Sequence, residues 1–405
     1  MKVLQINFLN MFSTGNIMLN IARVTRERGY EAFTASKYTR DAILHDKGIV
    51  NHYYVGSRVE NTFHRYFSWY TDLQDICSCL STRRLIRHVE KINPDIIHLH
   101  DVVGWYLNID VLFAYLKRKN IPVVWTFHDC WAFTGRCIYF DAAGCDRWKN
   151  GCGQCPQKRY MPGTKAKWDL SAWNWRHKKR LFSSLNNLTI VTPSEWLKNL
   201  TEQSFLAGKT VKVINNGINL EIFKPTKGDF YQQVKADGKK IVLGLTALWA
   251  ARKGLKEMNK LAEELPTEYK VIVVGSVQDG QLSDRIFHID RTQNQAELAQ
   301  LYTAADVYVN PTFEDNFPTV NLESLACGTP IVTYRTGGSP ESVTEQTGLV
   351  VEKGDYKALK AAVMTVCEKG KEAYTDACLE AAKKYDMNAR FNDYVDLYEE
   401  VLKNE

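Results

Sequence analysis

Between Pro311 and Glu341 the chain reads PTFEDNFPTVNLESLACGTPIVTYRTGGSPE, and two carboxylates there, Asp315 and Glu323, stand eight residues apart across a loop-to-helix junction. Asn316, Phe317, Pro318 and Thr319 form the start of the helix, and Val320 opens its body, VNLESLAC. A helix start collects unpaired N–H groups and the positive end of the peptide dipole, so this junction suits a diphosphate. Glu323, inside the helix, can accept hydrogen bonds from a ribose, and Asp315, ahead of it, can face a sugar. A capped helix with acidic first-turn residues is the bland alternative.

The stretch WTFHD places His128 and Asp129 at the end of a strand, the edge where open α/β sheets hold their ligands. A core or capping histidine is the alternative there. Just beyond, Cys137, Cys145, Cys152 and Cys155 run C-x7-C-x6-C-x2-C. Four thiolates at short loop spacing suit a structural, tetrahedral zinc, with Cys130 as a substitute ligand; reduced buried thiols and disulfides are the other readings. Catalytic zinc is disfavoured, because four thiolates leave no open coordination position. Cys77, Cys79, Cys327, Cys367 and Cys378 read as small core residues. From Lys158 to Arg180 the chain then carries eight Lys or Arg, one Asp and three Trp. Such interleaving fits a membrane interface or an anionic-acceptor site, and equally a solvated helix with packed Trp. Phe63, Tyr66, Phe67, Trp69 and Tyr70 form a second aromatic cluster.

Absent motifs narrow the chemistry. There is no G-x-x-x-x-G-K-[ST], no G-x-S-x-G, no H-E-x-x-H and no D-x-D pair to present a divalent metal to a nucleotide. The G-x-G-x-x-G fingerprint is also missing, and Gly15 stands alone in FSTGN. P-loop kinases, zincins and standard dehydrogenases are disfavoured.

The elements that must position these residues alternate between strand and helix. Val3 to Phe8, a helix around Ile17 to Arg28, Glu31 to Ala35, a helix from Thr82 to Lys91, IIHLHD, VLFAYLKRKN and PVVWTFHD follow one another. That is the spacing of a parallel sheet with crossover helices. Asn93-Pro94 and Asn120 before Ile121-Pro122 end helices, and Ser194 can cap the one that follows it. The pattern breaks between Cys130 and Trp175, where neither period holds. After an Asn-, Gly- and Pro-punctuated linker, VINNGINLEIFKPT, a second strand and helix series begins. The fold class is α/β: an N-terminal Rossmann-like domain over 1–214 with a Cys-rich insertion at 130–175, and a second over 215–385. The last segment, 386–405, is an amphipathic helix expected to pack back on the N-terminal domain.

Size and composition agree with two domains. The chain has 405 residues, 45% of them hydrophobic and 24% charged, which excludes a disordered or fibrous protein. No apolar run approaches the ~20 residues that span a bilayer. The amino-terminal MKVLQINFLNMF has Gln5, Asn7 and Asn10 where a signal core would be apolar, so it reads as a first strand of a cytoplasmic protein. The net charge of +6 hides an asymmetry. Residues 1–212 carry 30 Lys or Arg against 17 Asp or Glu, and the remainder 22 against 29. A basic first half implies an anionic partner.

The chain resembles the retaining glycosyltransferases of family 4, whose GT-B fold sets two Rossmann-like parallel-sheet domains facing across a deep cleft. The resemblance rests on the Asp315 to Glu323 pair, Cys327-Gly328-Thr329-Pro330, the turn Gly337-Gly338-Ser339-Pro340-Glu341, and Asn216-Gly217-Ile218-Asn219 with Phe223 and Pro225 as interdomain linker. It departs from the family twice. The pair usually begins with Glu; here Asp315 holds the aligned position and Glu314 precedes it, leaving open which of the two meets the donor sugar. The family's phosphate clamp usually has Arg five residues before Lys-Gly, where this chain has Leu248, so Arg252 beside Lys253 is the substitute cation.

The resemblance implies transfer from a nucleotide-diphosphate sugar to a glycan hydroxyl with retention at the anomeric carbon and no catalytic metal. Arg252, Lys253 and the helix amides would neutralise the departing diphosphate. His128 would lie at the donor sugar, Gly15 would be the close-approach glycine of the first loop, and the base would be recognised near Arg291. A lipid-diphosphate-linked glycan acceptor at the inner membrane face would suit the basic first half, in capsule, exopolysaccharide or lipopolysaccharide assembly. The competing reading is a zinc-containing nucleic-acid-binding protein, disfavoured by the acidic second half. Nucleic acid is therefore not among the expected partners.

Overall fold

Runs of β-branched and aromatic residues bounded by Asn, Gly and Pro become strands, and the longer amphipathic stretches between them become helices. The computed structural model describes residues 1–44, 48–278 and 280–403. It divides into two units, Met1–Ile214 with Phe391–Glu405, and Asn215–Arg390.

In the first unit seven strands form one sheet: β1 (Lys2–Asn7), β2 (Glu31–Lys37), β3 (His52–Val55), β4 (Ile96–Leu99), β5 (Val123–Thr126), β6 (Leu188–Thr192) and β7 (Thr210–Val213). Their order is β3-β2-β1-β4-β5-β6-β7, and every pairing is parallel. β4 and β5 are buried along their whole length, as central strands covered on both faces must be. Two helices stop on asparagine in the left-handed conformation, Asn93 (φ 51°) after Cys79–Ile92 and Asn120 (φ 53°) after Ile109–Lys119. Each donates its N–H back into the last turn, and Pro follows within two residues. Ser194 Oγ accepts from the Leu197 N–H and so caps Glu195–Glu202.

Helix starts lie earlier than periodicity places them. The first helix runs Phe12–Glu27, and the one that ends before Asn93 begins at Cys79, because the buried first-turn positions are held by Gly15 and by Ser81 and Thr82, small or polar residues that add nothing to an apolar period. The aperiodic stretch after β5 holds three short 3-10 turns, Trp131–Phe133, Asp141–Ala143 and Arg147–Lys149. It extends the core of the first unit, with Trp131, Phe133, Phe140 and Trp148 buried and joined to it through Phe127 and Phe182, so aromatic burial replaces periodic structure. A helix then starts at Ser171, inside the stretch that shows no period, and buries Trp175 and Lys178. The basic Trp-rich segment is therefore not one solvated helix. Of the cysteines expected in the core, Cys327, Cys367 and Cys378 are buried, whereas Cys77 is half-buried and Cys79 exposed.

The second unit has six strands: β8 (Lys240–Trp249), β9 (Tyr269–Val277), β10 (Ile286–Ile289), β11 (Val307–Asn310), β12 (Ile331–Tyr334) and β13 (Gly348–Val351). Their order is β10-β9-β8-β11-β12-β13, again all parallel. Both sheets reverse direction of growth once, between β1 and β4 and between β8 and β11. At such a switch point the connecting helices depart to opposite faces and leave a crevice at the carboxyl ends of the strands.

Candidate functional site

Around the second switch point, two loops leave β8 and β11 and bind each other. The Phe313 N–H donates to the Arg252 carbonyl at 2.8 Å, tying residues 250–254 to residues 311–318. Lys253 Nζ then meets Asp315 Oδ2 at 2.6 Å, both side chains being mostly buried. A third segment closes in from β12: the Gly338 N–H donates to the Asn316 carbonyl at 2.8 Å. Gly337, with φ 54°, lies so near the Asp315 backbone that a Cβ there would overlap the Asp315 carbonyl oxygen. Only glycine satisfies both the left-handed backbone and that approach.

The helix that follows the loop is Thr319–Ala326. Its N-cap is Pro318, which supplies no side-chain acceptor; the Asn321 N–H donates to the Pro318 carbonyl at 3.2 Å, which leaves the amides of Thr319 and Val320 for water or a ligand. Val320 is the second helical residue. Phe317 is buried and packs on Tyr385, with ring centroids 5.7 Å apart, and its carbonyl accepts from Asn216 Nδ2 at 3.0 Å. Inside the helix Asn321 is fully buried and holds Asn310, Ser339 and Ser342, which locks the helix to β11 and to the Gly337-Gly338 turn. Glu323 lies one turn into the helix, and Tyr302 Oη donates to its Oε2 at 3.0 Å. Burial pushes the Glu323 carboxyl up to about 7, against the opposing pull of the Tyr302 hydroxyl.

The structure thus brings Lys253, Asp315, Asn316 and the start of the helix together. Glu314 is wholly buried, while Asp315 next to it keeps part of its carboxylate accessible and pairs with Lys253. Arg252 is half-buried in the 3-10 turn Ala251–Lys253. Leu248 is exposed beyond a bulge in β8. Arg291 is exposed two residues past β10, the edge strand, which β9 separates from β8. Tyr302 and Asn321 were not legible as site residues. Tyr302 lies in the regular helix Gln295–Ala304, and nothing in its spacing shows that it reaches Glu323.

In the first unit, Gly15 falls in the first turn of Phe12–Glu27 and packs on the loop after β1; a Cβ there would come within 2.7 Å of the Asn10 carbonyl carbon. Asn7, at the end of β1, accepts from the Asp101 N–H beyond β4, joining the two loops at this switch point. His128 lies past β5, with Nε2 3.0 Å from His100 Nδ1 and the two rings nearly parallel. His100 Nε2 in turn meets Gln5 Oε1 at 3.0 Å. Burial lowers the pKa of His98, His100 and His128, so the stack is held neutral. Asp129 is pushed up to about 8 by burial and by the nearby charge of Asp101. His98 in β4 and His100 just beyond its end keep strand parity and lie side by side, with ring centroids 4.1 Å apart, a signal that the H-x-H spacing carries.

Cys137 and Cys155 are hydrogen-bonded thiol to thiol, which holds the Cys155 thiol below its usual range and raises that of Cys137. The Gly135 N–H donates to Cys152 Sγ at 3.1 Å. Among the described residues no three His, Cys, Asp or Glu side chains converge on a centre that could hold a metal ion. None of the described helices is long and apolar enough to cross a membrane.

Residues 14–222 match the protein family described as Glycosyltransferase Family 4, and residues 226–385 the one described as Glycosyl transferases group 1. The chain is 24% identical over 277 residues to the putative colanic acid biosynthesis glycosyl transferase WcaC of Escherichia coli strain K12, covering 66% of each. It is 26% identical over 226 residues to the N,N'-diacetylbacillosaminyl-diphospho-undecaprenol alpha-1,3-N-acetylgalactosaminyltransferase of Campylobacter jejuni, covering 52% of this chain and 59% of that one. The matched stretches thus span just under two thirds of these relatives' lengths. Among solved structures, a glycosyltransferase from Rickettsia africae superposes with a TM-score of 0.71 at 16% identity, over 100% of this chain and 99% of that one. Anabaena Alr3699/HepE in complex with UDP does so with a TM-score of 0.70 at 16% identity, over 99% and 100%. Two all-parallel sheets of this order, matched by family over both units, make the chain a member of glycosyltransferase family 4 with the GT-B fold.

Proposed function

We propose that this protein transfers a sugar from a nucleoside-diphosphate donor to a hydroxyl of a lipid-diphosphate-linked glycan, with retention and without a catalytic metal, in cell-surface polysaccharide assembly. The observation that carries this reading is the Lys253–Asp315 pair beside an uncapped helix start at the second switch point. A cation and the Thr319 and Val320 amides at one seat suit a diphosphate, and the carboxylates flanking it suit the hydroxyls of the sugar and ribose. The UDP complex of Anabaena Alr3699/HepE and the diphospho-undecaprenol substrate named for the Campylobacter jejuni relative support donor and acceptor classes of this kind.

In the reaction proposed, the bond from the anomeric carbon to the diphosphate oxygen breaks while the acceptor oxygen bonds on the same face. The acceptor's proton passes to the departing phosphate oxygen. Lys253, Arg252 and the amides of the Thr319–Ala326 helix stabilise the charge that gathers there. Asp315 orients the donor sugar, Glu323 the ribose, and His128 supports the positive charge that develops on the sugar. The protein works at the cytoplasmic face of the membrane, where lipid-linked acceptors are presented.

The test is transfer from a panel of nucleotide sugars, with the product anomer read by NMR, in chelator and in added Mn²⁺. Activity that survives chelator, retains configuration and vanishes in Asp315→Ala and Glu323→Ala is expected. Strict dependence on Mn²⁺ or an inverted product overturns the mechanism. Structural zinc on Cys137, Cys145, Cys152 and Cys155 would require these side chains to turn toward a common centre. Elemental analysis of the purified chain decides it, with about one zinc per chain for the metal reading and none for reduced thiols.

A further inference from the structure

The helix Arg58–Thr71 of the first unit turns an apolar stripe to solvent. Val59, Phe63, Tyr66 and Tyr70 follow one another at four, three and four residues, the spacing of one helix face, and are 80%, 63%, 45% and 55% exposed. Its buried side consists of Asn61, His64 and Ser68 instead. The amphipathic pattern is thus inverted relative to a core-packing helix. Hydrogen bonds from Thr164, Lys165 and Ala166 to the Trp69 carbonyl, and from Trp168 Nε1 to the Thr71 carbonyl, dock the segment 159–168 onto the helix end. That segment brings two more exposed apolar side chains, Met161 and Trp168.

The charge around this patch is predominantly positive. Arg65 lies over the Tyr66 and Trp69 rings and Lys165 over Trp69, each about 5 Å from a ring centroid. Arg159 and Lys167 are exposed beside them. Over residues 58–71 and 156–168 the only acid is Glu60, which Ser81 engages through both its N–H and its hydroxyl. A cavity of about 520 Å³ opens between Trp69, Arg159, Gly163 and Lys165.

We propose that this face is the protein's docking surface for an anionic lipid bilayer, with the Phe63–Tyr66–Tyr70 stripe entering the headgroup layer and Arg159, Lys165 and Lys167 engaging lipid phosphates. Exposed aromatics with polar tips, ringed by Arg and Lys, match the chemistry of a membrane interface. A second copy of the chain fits poorly, since an isologous contact would set the same cations against one another. The inference deepens the membrane location proposed above and names the surface that achieves it.

The experiment is co-sedimentation of the full chain with vesicles of phosphatidylcholine alone and of phosphatidylcholine mixed with phosphatidylglycerol, across a salt titration. Binding to the anionic vesicles, weakened but not abolished by salt, is expected. The triple substitution Phe63→Ser, Tyr66→Ser, Tyr70→Ser should weaken it at least tenfold while the melting temperature holds. Lys165→Glu with Lys167→Glu should flatten the salt dependence. Equal sedimentation of parent and triple variant overturns the proposal, as does a dimer in ultracentrifugation that the triple variant abolishes, or single-stranded nucleic acid binding lost through the same residues. Nucleotide-sugar binding, measured by calorimetry without vesicles, separates the two readings. Loss of vesicle binding with donor binding intact refutes the docking face alone, and an absent donor site with vesicle binding intact refutes the transferase reading alone.

Discussion

Glu323 is a carboxyl whose ionisation the fold resists. The unfolded chain releases this proton near 4.5 and the folded protein near 7. The group's contribution to stability is therefore present at low pH and falls as pH rises through that window. Glu323→Gln keeps the shape without the charge, so it should melt above the parent at pH 8, by about 1–2 kcal/mol, and level with it at pH 4. Calorimetry at the two pH values checks this; equal melting shifts at both would refute the assignment. If the ionised form holds the ribose, donor affinity in the parent should also drop between pH 8 and pH 6, and that step should vanish in the Gln variant. Lys253→Met should weaken nucleoside-diphosphate binding by about ten- to a hundredfold, since a charged hydrogen bond is lost and Asp315 is left without its partner. Isothermal titration measures it, and an unchanged affinity would move the diphosphate elsewhere.

At the scale of elements, three loops from different strands must meet for the site to exist, and Gly337 is where they meet most tightly. Gly337→Ala would press a methyl group into the Asp315 carbonyl and displace the carboxylate loop. We expect a loss of about 2–4 kcal/mol in stability together with most of the donor affinity. Gly238→Ala, with φ 65° and open space around it, should cost only about 1 kcal/mol and leave donor binding alone, which isolates the clash from the backbone strain. That Asp315 and Glu323 stand on either side of one helix start was legible because both lie within one continuous stretch. Tyr302 was not, because its hydroxyl reaches Glu323 from a different helix. The Trp-rich segment misled for a related reason: whether Lys178 is solvated depends on Trp131, far away in sequence, over whose ring its ammonium lies.

For the whole molecule, the chain's end matters to its beginning. Phe391–Glu405 belongs with the first unit, where Tyr398 Oη lies 2.6 Å from His98 Nδ1, and Arg28 pairs with Asp396 and Glu399. Tyr398→Ala would open a hole in a fully buried site and leave His98 without that partner. It should destabilise the first unit by about 3–5 kcal/mol and leave the second unchanged. Hydrogen exchange resolves the two, and equal loss of protection in both units would refute a role confined to the first.

What the sequence determined by itself was whatever local chemistry dictates: strands and helices in alternation, a break near Ile214, asparagine stops, and a carboxylate pair astride a helix start. These follow from propensity, periodicity and backbone geometry over a few residues. Only the tertiary structure decided which loops zip together at the switch point, that Lys253 is Asp315's partner, that a histidine stack backs His128, and that an apolar stripe faces solvent. Each of those depends on residues tens or hundreds of positions apart, and on whether a given helix face meets protein or water. Pattern alone is silent on that point, since an apolar stripe looks the same whether it is covered or bare.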